Sequence, residues 1–120
     1  MGLVSAKLTL SNPLLEDLQP LEVQALVDGG ANLLYLPRPV ADQLQLETNG
    51  TREVPTADGR RTSCPYVGPI QVRFEGRQCY TGAMVTGDRV LLGTIPLDDM
   101  GLVFSPLERR LVPNPQPLRV

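Results

Sequence analysis

Twelve prolines and eleven glycines interrupt this 120-residue chain at short intervals, and no feature limits its fold more. Proline inside a helix removes a backbone hydrogen bond and clashes with the preceding turn. Glycine there costs about 1 kcal/mol relative to alanine. Between the breakers, apolar residues alternate more often than they recur at helical spacing. Val4, Ala6, Leu8 and Leu10 alternate with Ser5, Lys7 and Thr9, the pattern of a half-buried strand. "NPLLEDLQP" reads as a loop, "LEVQALV" (Leu21–Val27) as the next strand, and "LLYL" (Leu33–Leu36) as a third, beyond an Asp28-Gly29-Gly30 turn. Pro37–Leu44 suits one short helix, because proline is tolerated in a first turn.

From Arg52 the pattern is a meander. "REVPTA" and "RRTSCPYV" flank Asp58-Gly59, the signal of a two-residue hairpin. "IQVRF" and "QCYTGAMVT" flank a second hairpin at Glu75-Gly76-Arg77. "RVLLG" is short and apolar, as a strand buried on both faces would be. "TIPLDDMG" predicts a turn or two of helix, with Thr94 as cap and its acidic residues near the start. "LVFS" and "RRLVPN" read as closing strands. With no repeat or linker, residues 1–120 are expected to form a single all-β domain with one or two short helices.

Composition narrows the chemistry. A formal charge of -2 offers no electrostatic reason for a nucleic acid or an anionic membrane as partner. No run approaches the roughly 18 apolar residues of a membrane span. "MGLVSAKLTL" lacks the basic start and cleavage site of a signal peptide, so the cytoplasm is the expected compartment. There is no histidine, which removes Ser-His and Cys-His catalysis and histidine metal sites. Cys64 and Cys79 are too few for a thiolate zinc site and are expected to be reduced, half-buried packing residues. Asp88, Asp98 and Asp99 read as turn and helix-start residues, not as metal ligands. Neither metal nor cofactor is expected.

Asp28 stands out because "VQALVDGGANLLYLP" sets a carboxylate and two glycines between strands that both look buried. Alone, an Asp-Gly turn is ordinary. Two carboxylates about 3 Å apart cannot both ionise and therefore share a proton. The ionised one can take a proton from water while the neutral one donates to a scissile carbonyl. One chain holds a single such turn, so a second Asp would come from a twofold-related copy.

In this order the motifs resemble those of retropepsin-like aspartic proteases, the small bacterial single-domain type, over nearly the whole chain. "ALVDGGA" stands where that family carries an apolar strand and Asp-Thr-Gly-Ala. "VPTADGRRTSCPYVGPIQVRF" stands at its flap hairpin, and "VLLG" with "TIPLDDMGL" at its second apolar-apolar-Gly motif and helix. The resemblance implies an acid-protease half-barrel with a flap, forming a twofold homodimer that hydrolyses peptide bonds at acidic to mildly acidic pH. By the same resemblance, Asp28 is catalytic. Gly30, Ala31, Asn32, Ala57, Asp58 and Gly59 bind substrate, and Gly29, Leu92 and Gly93 support the catalytic turn. The substrate pockets would be apolar, from Leu33, Val54, Ile70 and Leu92.

Two positions depart from the family pattern. Gly29 replaces a Thr whose hydroxyl, in the family, hydrogen-bonds across the twofold axis and braces the two turns. Asn32 and Thr94 replace an Asp–Arg pair, and both partners are absent together. Gly29 keeps two other readings open: a pseudoprotease that binds peptide without cleaving it, and an oligomerising structural module.

Overall fold

The computed structural model describes residues 4–56 and 58–116. Among the described residues, nine strands and two short helices follow one another as β1 (Val4–Ser11), β2 (Leu21–Val27), β3 (Leu34–Leu36), α1 (Arg38–Gln43), β4 (Thr48–Pro55), β5 (Arg61–Phe74), β6 (Arg77–Val85), β7 (Val90–Leu92), α2 (Thr94–Asp99), β8 (Leu102–Ser105) and β9 (Arg110–Pro113). The expected strands and both helices are present, and the architecture is all-β. Among the described residues, no helix is long and apolar enough to cross a membrane.

Six of the strands close on themselves in the order β1-β2-β7-β3-β6-β5, and β5 pairs back to β1. Closure pairs the edges of these six strands and leaves β4 as the outer one. The inward residues follow the alternation seen in the sequence: Val4, Ala6, Leu8 and Leu10 are all buried, and Lys7 faces out to Glu22. Leu34, Leu36, Ile70, Val72 and Leu92 complete the barrel core, all essentially without solvent contact. Ala41 and Leu44 plug α1 onto it.

The topology of β2, β7 and β3 sets up the site. β7 lies between β2 and β3, parallel to the first (Val27↔Leu92) and antiparallel to the second (Leu34↔Leu92). The β2–β3 connection, residues 28–33, therefore wraps over the end of β7. Being central and only three residues long, β7 is apolar throughout, as expected of a strand covered on both faces.

Three local expectations are corrected. The segments "RRTSCPYV" and "IQVRF" are one 14-residue strand, β5. An irregularity between Val67 and Ile70, at Gly68-Pro69, lets β5 pair first with β4 and then with β1. The Asp58-Gly59 hairpin is not a two-residue turn. Its last strand pair is Pro55↔Arg61, and Thr56 N–H donates to Arg60 O at 2.8 Å, with Asp58 and Gly59 at the tip. The tight two-residue turn falls instead at Glu75-Gly76, both at positive φ (46° and 82°), as a type I′ turn requires. Finally, Thr94 does not cap α2. Gly93 occupies the N-cap, no side chain caps it, and Asp98 and Asp99 lie at the helix's far end.

Candidate active site

Asp28 follows β2 directly. Its N–H donates to Leu92 O on β7 (3.1 Å) and its carbonyl accepts from Ala31 N–H (3.1 Å), which closes the turn. One carboxylate oxygen, Oδ1, accepts from Gly30 N–H at 2.9 Å, an Asx-type turn that fixes the side chain against its own backbone. A Cβ at Gly30 would stand 3.3 Å from that same oxygen, so glycine gives the carboxylate its room. Asp28 is half-buried, whereas Gly29 and Gly30 are exposed. A Cβ at Gly29 would meet nothing within 4 Å.

The rest of the 28–33 connection is clamped from below. Gly93, Thr94 and Ile95 present successive N–H groups, which donate to Leu33 O (2.9 Å), Ala31 O (3.0 Å) and Asn32 O (2.9 Å). A helix N-terminus leaves its first N–H groups without intrahelical partners. Here the loop carbonyls accept them, which explains why α2 needs no side-chain cap. The approach is so close that a Cβ at Gly93 would run into Leu33 O and lie 2.6 Å from the Asn32 carbonyl carbon. Asn32 and Thr94, named above as the two exchanged positions, sit on these adjoining segments.

Two open cavities flank the turn. One, about 440 Å³, is lined by Val27 to Gly30, by Leu97 and Asp98 of α2, and by Leu102 to Phe104 of β8. Its surface is mostly apolar and Val103 is 38% exposed there. The other, about 330 Å³, lies between Asn32 and Leu33 on the turn side and Arg52 to Pro55 of β4, with Tyr35, Met84 and Ile95 completing it. β4 is the outer strand of the sheet and nearly all of it is exposed.

The β4–β5 hairpin tip is held by its own polar groups. Asp58 accepts from the Thr56 hydroxyl and from Arg60 N–H (3.0 Å). Those hydrogen bonds, the hydroxyl's above all, hold its carboxyl below the usual range. Ala57 lies outside the described residues.

The fold is similar to that of a retroviral protease. EIAV protease complexed with the inhibitor HBY-793 superposes with a TM-score of 0.67 over 83% of this chain and 89% of that one, at 16% identity. The likeness establishes an all-β, retropepsin-like barrel with few short helices. No family model matches the chain, and no curated protein matches it.

The structure thus brings Asp28, Gly30, Ala31, Asn32, Leu92 and Gly93 into one hydrogen-bonded unit, with Gly29 exposed within its turn. Asp58 and Gly59 stand apart at the hairpin tip and line neither flanking cavity. Of the four expected pocket residues, Leu33 and Val54 do line a cavity. Ile70 and Leu92 do not: both are fully inside the barrel. Sequence reading missed Leu97, Asp98 and Val103 beside Asp28, since only the return of α2 and β8 to the end of β2 brings them there. Cys64 and Cys79 are free and more deeply buried than expected. Burial, and then the charge of Asp99, push the Cys79 thiol up to about 11.

Proposed function

We propose that the chain is an aspartic endopeptidase that works as a homodimer in the cytoplasm. Asp28 and the partner subunit's Asp28 share one proton, and the pair activates a water against a peptide carbonyl. What supports this is the turn itself. Asp28 is half-buried and oriented by Gly30 N–H, beside an exposed Gly29 with open space where a second copy would approach. The mostly apolar cavity along β8 continues that face and would be covered by the same copy. With two turns facing each other, repulsion between the carboxylates keeps one protonated. The ionised carboxylate takes the water's proton and the neutral one donates to the carbonyl oxygen, with no covalent intermediate.

The substrate lies extended. It borrows backbone hydrogen bonds from Gly30, Ala31 and Asn32 on one side and from the exposed β4 edge on the other, as a strand added to a sheet does. The hairpin tip, with Asp58 and Gly59, is the flap that closes over it. Leu92 and Gly93 support the turn from beneath.

A second reading is a pseudoprotease, and Gly29 is the observation that favours it. Among the described residues, nothing lies within 4 Å of where a side chain's Cβ would start at position 29, so packing among them does not call for glycine. A missing cross-dimer hydroxyl would loosen the pair by about 1 kcal/mol for each hydrogen bond lost. Cleavage of a peptide library, read by mass spectrometry between about pH 3 and about pH 7, separates the readings. Native protein should cleave on the acidic side and Asp28→Asn should not. Cleavage by Gly29→Thr alone would establish the pseudoprotease. Activity that survives Asp28→Asn would end the dyad reading.

A further inference from the structure

We infer that Arg52 makes this groove selective for peptides carrying an acidic side chain. The inference rests on the peptide-binding reading above and assigns one residue a role in it.

Arg52 lines the groove between β4 and the Asn32–Leu33 segment. Its guanidinium lies over the Tyr66 ring, 3.9 Å from the centroid. That ring is itself fixed. Its hydroxyl end lies against Gly82 of β6, where any Cβ would overlap it, and its backbone pairs with Met84. A stacked guanidinium keeps its in-plane N–H donors free. Arg52 is therefore oriented without being neutralised.

The neighbouring charges leave its charge uncompensated. Glu53, the other charged side chain lining the groove, faces Arg61 at 3.7 Å. Among the described residues, no carboxylate lies within ion-pair distance of Arg52, while Lys7, Arg60, Arg61 and Arg110 each have one. With Glu53 paired to Arg61 of β5, the unpaired charge on the β4 side of the groove is that of Arg52. Apart from Asn32, the other walls are largely apolar: Leu33, Tyr35, Val54, Met84 and Ile95. This combination suits an acidic side chain, whose stem lies on the apolar wall and whose carboxylate accepts two parallel N–H bonds from the guanidinium. A basic side chain would be repelled, and a neutral amide would gain only a weaker contact.

Because Arg52 is solvent-exposed, the preference is modest. A charge-assisted contact at such a site gives about a two- to fivefold advantage of Glu over Gln, shrinking with added salt. The test profiles cleavage of a peptide library by native protein, Arg52→Met and Arg52→Glu, and in parallel measures binding of matched Glu and Gln peptides to Asp28→Asn by fluorescence anisotropy. The expected result is one substrate position enriched in acidic residues, the enrichment lost in Arg52→Met and turned toward Lys and Arg in Arg52→Glu. A structural role alone would not invert the preference. Cleavage with no acidic preference overturns the inference and leaves the protease reading intact. Without cleavage, a Glu preference in the binding assay that Arg52→Met removes sustains the role of Arg52 while the protease reading falls. Equal binding of both peptides overturns the inference.

Discussion

Replacing Gly93 with alanine adds one methyl group where the Asp28 connection is held most tightly. The Gly93 backbone sits at φ −92° and ψ −174°, extended geometry that alanine adopts freely. The penalty is therefore steric. The new Cβ would press on Leu33 O and lie 2.6 and 2.7 Å from Asn32 C and Ala31 O. All three are backbone atoms, so no rotamer change relieves them. Either α2 retreats or the 31–33 segment lifts, and both movements stretch the bonds from Gly93, Thr94 and Ile95. Overpacking of this kind costs about 1–3 kcal/mol, and each weakened hydrogen bond about 1 kcal/mol. Reduced freedom of the unfolded chain returns about 0.4–1 kcal/mol. The net expectation is about 2–4 kcal/mol of lost stability, or roughly 10 °C in Tm for a domain of this size. Urea unfolding followed by circular dichroism, at one fixed protein concentration, measures it. Gly29→Ala is the control, because its Cβ meets nothing within 4 Å, and it should stay within about 0.5 kcal/mol of native. A Gly93→Ala protein as stable as that control would refute the clamp as the support of the turn.

Two further outcomes follow from the same geometry. Val103, 38% exposed on the apolar cavity beside Asp28, lies on the proposed dimer face. Val103→Asp should leave the circular dichroism spectrum intact and shift sedimentation from dimer to monomer, and a variant still dimeric at micromolar concentration would move the interface elsewhere. Cys79 tests the core. Its thiol titrates near 11 in the folded chain because burial, then Asp99, disfavour the thiolate. The folded state thus holds this proton more tightly than the unfolded state, whose thiol titrates near about 8.5. The resulting stability is fully present below the unfolded value and is lost as pH rises toward the folded one. The native protein should therefore lose more urea resistance than Cys79→Ala between about pH 8.5 and about pH 11, and parallel curves for the two proteins would contradict the assignment.

How far these features could be read from sequence depended on whether the deciding interaction was local. Inward alternation in β1, the Asp-Gly-Gly turn and the apolar β7 each follow from a few adjacent residues, and the structure keeps all three. Thr94 had the chemistry of a cap, but capping is a contest for orphan N–H groups. The carbonyls of residues 31–33, some sixty positions earlier in the chain, win that contest in space. Ile70 and Leu92 had the right type for a pocket. Which face of a strand is inside depends on its partners, and β5 changes partner at Gly68-Pro69 while β7 is covered on both sides. Apolar character alone could not say that these two side chains point into the barrel. The same limit hid Arg52. In sequence it is one of eleven basic residues, with nothing local to set it apart. It gains significance only because Gly82, three strand residues from Cys79, clears space for Tyr66 and so fixes the plane on which the guanidinium rests. The glycines that matter most here are thus the ones whose missing Cβ admits another part of the chain: Gly93 admits the Asp28 connection, and Gly82 admits the ring beneath Arg52.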